Sequence, residues 1–180
     1  MRVYLDTGIF IDYLSAFGYP GLRTAGRRGR SLAQLSSDAE DLLKILSRKH
    51  QAATSCLTFY EAEEALYKQL AIAAKGIPHA TKSLVPAARS LMFQTRTAVK
   101  TYGITGLDLT VATVDLQLRT RELEIEGIRA ADALHVATAL QFEAELIISA
   151  DNEVLNLNEI FTTRTTKMRC LDAHAALQML

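Results

Sequence analysis

Short apolar runs, each followed by a stretch of helical spacing, constrain this chain more than any other feature. Residues 3–5 are apolar and end at Asp6, after which Ile9, Phe10, Tyr13 and Leu14 follow at helical intervals. The pattern returns at 52–57, weakly at 102–105, strongly at 146–149 (LIIS) and again at 168–171. Brief apolar runs of this kind read as buried strands, and 3.6-residue spacing reads as helix. Strands alternating with helices predict a parallel sheet covered on both faces. The expected fold is α/β, an α/β/α sandwich with a mainly parallel five-stranded sheet, in one domain spanning 1–180.

Between the strands, residues 17–30 (FGYPGLRTAGRRGR) hold four glycines and a proline and read as an exposed loop. Helices are expected over 31–49, from 58 to about 75 with a stop at Gly76-Ile77-Pro78, and over 80–100 with an interruption near Pro86. Further helices are expected over 109–124, ended by Gly127, over the Ala-rich 129–144, and over 172–180. The stretches 17–30 and 76–100 stand out as loop and helical insertions.

Composition narrows the function classes. The hydrophobic fraction of 49% suffices for a sizeable core, and the balance of 20 bases against 20 acids excludes a uniformly basic chain. It also argues against disorder, which pairs low hydrophobicity with high net charge. The longest apolar runs fall far short of the roughly 20 residues that span a bilayer. The opening MRVYLD carries an acid at position 6 and does not read as a signal peptide. The two cysteines, Cys56 and Cys170, make no disulfide framework and have no zinc spacing, so a reducing cytoplasm is the expected location.

The neutral total hides a segregation of charge. Residues 13–37 hold four arginines (Arg23, Arg27, Arg28, Arg30) and no acid; residues 65–107 hold six bases and no acid. Carboxylates are correspondingly concentrated elsewhere, as in a protein that grips a polyanion in one place and gathers acids in another. Solvated helix faces and loops would give the same composition.

In a parallel sheet, ligands bind beyond the carboxyl ends of the strands. Four acids fall there. Asp6 follows the first strand, Glu61 lies in the first turn after the second, Asp132 opens the helix before the fourth, and Asp151 follows the fourth. Carboxylates gathered at one edge raise one another's pKa, and a divalent cation relieves the conflict. Hard oxygen ligands suit Mg²⁺ or Mn²⁺, which can activate a water and stabilise the leaving oxygen of a phosphodiester. Each acid also has a structural use. Thr58 and Glu61 have the spacing of a capping box, Asp151 suits a turn cap, and Asp132 suits a helix N-terminus. Asp6 is the hardest to explain in this way.

The residues around these acids resemble the motifs of PIN-domain nucleases. LDTGIFIDYL is similar to the first motif, SCLTFYEAEEALY to the second, and AADALHVATAL with LIISADNEVL to the third and fourth. The resemblance implies a PIN-like fold and Mg²⁺- or Mn²⁺-dependent hydrolysis of RNA by a metal-activated water. It implies Asp6, Glu61, Asp132 and Asp151 as the catalytic acids, with Asp6, Asp132 and Asp151 holding the metal. Thr7 and Ser149 are implied as polar supports. Glu153 stands where a second Asp is common. Many such proteins are VapC-type toxins, which implies an RNA substrate, a small antitoxin partner and a homodimer. The surplus length over such toxins falls in the two insertions.

Other residues admit two readings. His135, three residues after Asp132 on the same helix face, reads either as a packed core histidine or as a partner of the acids or of a phosphate. Arg129 suits a scissile phosphate or a pair with Glu126. Arg23, Arg27, Arg28 and Arg30 suit tracking of an RNA backbone or a loop of no fixed role. Competing functions are weaker. An aspartic protease would need a second copy of the Asp6-Thr7-Gly8 triplet. An aspartyl phosphatase usually carries an acid where Gly8 stands. A non-catalytic binding protein of the same fold, or a PIN nuclease outside toxin–antitoxin systems, remains an alternative.

Overall fold

The first apolar run becomes the centre of the sheet. In the computed structural model, which describes residues 1–17, 22, 25–164 and 166–180, β1 (Arg2–Leu5) leads through Asp6 directly into α1 (Thr7–Ser15). The chain continues through α2 (Leu32–Lys49), β2 (Gln51–Ser55), α3 (Leu57–Ala73), α4 (Thr81–Thr101) and β3 (Thr105–Leu107). It then forms α5 (Val111–Arg119), α6 (Arg121–Ile125), α7 (Ala130–Gln141), β4 (Leu146–Ile148) and α8 (Asn152–Leu155). A small antiparallel pair, β5 (Thr162–Thr163) and β6 (Thr166–Lys167), precedes β7 (Arg169–Leu171) and α9 (Ala173–Met179).

The main sheet has five strands in the order β3-β2-β1-β4-β7, and every neighbouring pair is parallel. Tyr4 lies between Ala53 on one side and Ile147 on the other. Alternate side chains divide between the two faces, as the pleat requires. Val3, Leu5, Leu146 and Ile148 join one core with Leu42, Leu43 and Leu46 of α2 and Ala176 of α9. Tyr4, Ile147 and Cys170 join the opposite core with Val136 and Ala139 of α7. This is the α/β/α sandwich that the PIN resemblance implies. A third apolar cluster packs α3 against α4 through Ala62, Leu66, Ala88 and Leu91, with Leu14 and Leu22. Among the described residues, no helix is long and apolar enough to cross a membrane.

Several element boundaries differ from expectation for local physical reasons. The Thr58 capping box does not form. Cys56 is the N-cap, without a side-chain bond, and the buried Thr58 hydroxyl instead lies 2.7 Å from that of Thr54. The second insertion is no loose extension, since α4 runs through Pro86 without interruption. The one bond that Pro86 removes is to the carbonyl of Lys82, and both residues face water, which hydrates the freed oxygen.

The third strand starts only at Thr105, because α4 ends in a Schellman motif. Gly103 takes φ +63 and the Ile104 N–H donates to the Val99 carbonyl at 2.9 Å. The expected helix over 109–124 divides at Thr120, whose hydroxyl turns back to the Leu116 carbonyl at 2.7 Å. The Ala-rich helix stops at Gln141, where Glu143 takes φ +55 and Ala144 N–H donates to Ala139 at 2.9 Å.

Candidate active site at the carboxyl edge of the sheet

Because every strand of the main sheet runs the same way, the residues that follow β1, β2 and β4 meet at one edge. There they line an open cleft of about 590 Å³ whose walls include Asp6, Thr7, Glu61, Asp132 and Asp151.

Asp6 is buried and caps α1. One carboxylate oxygen accepts the Thr7 N–H at 2.7 Å and the other accepts the Ser149 hydroxyl at 2.6 Å. The same Ser149 oxygen accepts the Asp151 N–H at 2.9 Å, which ties the turn after β4 to the turn after β1. Gly8 permits this closeness, since a Cβ on it would lie 2.3 Å from that of Ala150.

Glu61 points inward from the first turn of α3. Its carboxylate accepts the Thr7 hydroxyl and lies 2.8 Å from His135 Nε2. Burial works to raise the Glu61 pKa, but the hydrogen bond and charge of His135 and the Thr7 hydroxyl outweigh it, holding the group below its ordinary value. His135 is buried, with Nε2 also 3.5 Å from Asp6 and Nδ1 2.7 Å from the Tyr4 hydroxyl. Burial disfavours its imidazolium, yet the negative charge of Asp6 and the bond to Glu61 prevail and raise its pKa. His135 is therefore both a packed residue and the partner of two acids. The sequence signal for it was its helical offset from Asp132. Tyr4 carried a fainter signal, because a tyrosine inside a buried strand needs a partner for its hydroxyl.

The other acids form a second set. Asp132 occupies the first turn of α7. Asp151 caps α8, where it accepts the Glu153 N–H at 2.9 Å. One guanidinium sits over all three: Arg129 is 3.7 Å from Asp132, 3.6 Å from Asp151 and 3.1 Å from Glu153. Arg129 thus pairs with these acids in place of Glu126. Burial, and then the charges of Asp151 and Asp6, push the Asp132 pKa from 3.8 up to about 6.

Ligand atoms of Asp6, Glu61 and His135 lie within 4.8 Å of one another, and so do those of Asp132, Asp151 and Glu153. The three expected metal ligands are thus divided between two sets. Asp6 belongs to the first, Asp132 and Asp151 to the second, and Asp132 bridges them through its response to both Asp6 and Asp151. An oxygen-rich cleft that gathers several carboxylates, one of them raised to about 6 by burial and by its acidic neighbours, fits a hard divalent cation.

Three of the loop arginines have partners within the chain, which differs from a free backbone-tracking arm. Arg27 forms a two-pronged pair with the buried Asp12, with one bond at 3.0 Å. A carboxylate buried so deeply needs such a partner. Arg30 bonds both oxygens of Asp38 at 2.6 Å. Arg28 donates to Asn152 and to the Ala150 carbonyl, each at 3.1 Å. Residues 27–30 thus clasp α1, α2 and the turn after β4. Arg23 lies outside the described residues.

No family model matches the chain, and no curated protein matches it. Among solved structures, the chain is similar to VapBC2 from Rickettsia felis bound to a DNA fragment from its promoter. The two are 13% identical with a TM-score of 0.45, and the match covers 84% of this chain and 89% of that one.

Proposed function

We propose that the chain is a Mg²⁺- or Mn²⁺-dependent ribonuclease that hydrolyses phosphodiester bonds, and that it serves as the toxin of a VapBC-type toxin–antitoxin module. The observation that carries the nuclease reading is the gathering of Asp6, Glu61, Asp132 and Asp151 around one open cleft. The toxin role and a small antitoxin partner rest on the motif resemblance.

Asp6, Asp132 and Asp151 would hold the cation, with Glu61 beside Asp6 and Glu153 beside Asp132 and Asp151 to orient water around it. When bound, the divalent ion supplies charge neutralisation at the phosphate and a more acidic water as nucleophile. The remaining work belongs to the chain. Thr7 and Ser149 fix Asp6 through one bond to each carboxylate oxygen, so its orientation needs no rearrangement when substrate arrives. His135 and Thr7 keep Glu61 ionised at neutral pH. Arg129, exposed at the mouth of the cleft, neutralises the second set of acids and stands where an incoming phosphate would meet it.

The test is cleavage of labelled RNA with Mg²⁺, with Mn²⁺ and with chelator, by the unaltered chain and by Asp6→Asn. Activity should require the ion and fall by orders of magnitude in the variant. Full activity in chelator, or in Asp6→Asn, would overturn the mechanism. Growth arrest on expression, absent with Asp6→Asn, tests the toxin role separately.

A further inference from the structure

The strands that end at the acidic cleft also start together, at the opposite edge of the sheet. β1 opens at Arg2, β2 opens at Gln51, and Glu145 stands just before β4. The Gln51 N–H donates to the Met1 carbonyl at 3.0 Å and the Glu145 N–H to the Arg2 carbonyl at 2.9 Å, which ties the three starts together. They border a second open cavity of about 620 Å³, walled also by Arg48, Lys49, His50 and Arg164. The length of β1, about 13 Å, separates it from the cleft. Arg2 and Arg164 share one oxygen of Glu143, each at 2.8 Å. The second terminal nitrogen of Arg2 and both of Arg164 are left without a partner among the described residues. Arg48 and Lys49 have no carboxylate partner there either. Four cations thus stand against Glu143 and Glu145, an excess of two positive charges. The dipole of α2 accounts for Arg48 and Lys49 in its last turn. It does not account for Arg2 and Arg164, which arrive from β1 and from the end of β5.

A second observation points the same way. His50 caps the end of α2 in the wall of this cavity, and both of its ring nitrogens are shut off from water without a hydrogen-bond partner. Burial, and then the positive charge around it, Lys49 included, holds its pKa below the ordinary value. At neutral pH the ring is therefore uncharged and keeps one N–H with no acceptor. A buried donor left in this way is costly, and an anion beside it would supply the missing acceptor. We propose that this pocket binds a phosphate dianion, either free or as the monoester group of a nucleotide. The excess of two positive charges matches the charge of such a group, and the free guanidinium nitrogens of Arg2 and Arg164 can each meet its oxygens through paired N–H groups. Arg48 and Lys49 add point charges at the rim, and His50 donates from the wall. The cavity is larger than a phosphate ion, so a nucleoside attached to the phosphate also fits. The site is independent of the nuclease reading, because it lies at the other end of the strands and needs no metal.

The experiment is calorimetry of the full chain in EDTA at low salt and pH 7.5, titrated with inorganic phosphate, with adenosine 5′-monophosphate and with adenosine. Phosphate and the nucleotide should bind, and adenosine should not. Equal affinity for the two assigns the site to free phosphate, and tighter binding of the nucleotide assigns it to a phosphate monoester. Arg164→Gln should weaken phosphate binding about 10-fold or more, and Lys49→Gln several-fold. Glu145→Gln should tighten it several-fold, a gain that a misfolded variant could not give. His50→Phe should weaken binding and yet leave the unfolding midpoint without phosphate unchanged or higher, since it removes the unpartnered nitrogens and keeps a ring. Asp6→Asn should bind phosphate as the unaltered chain does. No binding at millimolar phosphate, binding unmoved by both Arg164→Gln and Lys49→Gln, or weaker binding in Glu145→Gln overturns the site. Loss of phosphate binding in Asp6→Asn would place the anion in the acidic cleft and overturn it as well. None of these results bears on metal-dependent cleavage of RNA, which the chelator assay tests separately.

Discussion

Replacing Asp132 by Asn should make the metal-free protein more stable at neutral pH, although it removes a residue of the proposed catalytic set. Burial and the charges of Asp151 and Asp6 hold this carboxyl at about 6 instead of 3.8, so the folded chain binds its proton more tightly than the unfolded chain does. The associated stability is fully present below pH 3.8 and is lost as pH rises through about 6. The full separation is equivalent to about 3 kcal/mol. The cleft is open to water, and screening reduces the effect to about 1–2 kcal/mol. Asn keeps the shape and carries no charge, so at pH 7.5 Asp132→Asn should gain that amount, or roughly 3–6 °C in midpoint for a chain of this size. The assay is thermal unfolding followed by circular dichroism in EDTA, from pH 4 to pH 7.5. The gap between the two proteins should widen as pH rises. Millimolar Mg²⁺ should then raise the midpoint of the unaltered chain more than that of the variant. A variant less stable than its parent at pH 7.5 in EDTA, or a gap that ignores pH, would refute the electrostatic account of the cleft.

Three further outcomes are expected. Arg129→Gln should bind Mn²⁺ several-fold more tightly at low salt, measured by calorimetry, because the guanidinium over Asp132, Asp151 and Glu153 competes with any cation there; unchanged or weaker binding would contradict that competition. Gly8→Ala should cost about 1–3 kcal/mol in urea unfolding, since its methyl would meet the Ala150 methyl at 2.3 Å and separate the turns that carry Asp6 and Ser149. Asp12→Ala should cost about 3 kcal/mol in the same measurement, because it leaves the Arg27 guanidinium without its buried partner; a neutral result would show that the Arg-rich loop does not clasp α1.

The alternation of apolar runs and helical spacing was sufficient to reach the sheet architecture from the chain alone. The reason is that burial on two faces leaves strands such as β1 and β4 almost no polar residues, and that a parallel connection requires the intervening helix. The same logic placed Asp6, Glu61, Asp132 and Asp151 near one edge, because strand direction decides which chain ends share an edge. Element ends were less legible. Thr58 has the spacing of a cap, yet its hydroxyl is taken by Thr54 across the strand–helix junction, a contact that exists only once both are packed.

Within the site, the tertiary structure decided what spacing cannot express. Chain offsets do not reveal that His135 spans from Tyr4 to Glu61, that one guanidinium covers Asp132, Asp151 and Glu153, or that the carboxylates divide into two sets. Nor do they reveal that Arg27 and Arg30 are bound to Asp12 and Asp38. Hydrogen bonds and ion pairs depend on ångström distances between residues remote in the chain. Hydrophobic burial is non-directional and tolerant of such distances, and its pattern can therefore be read along the chain itself.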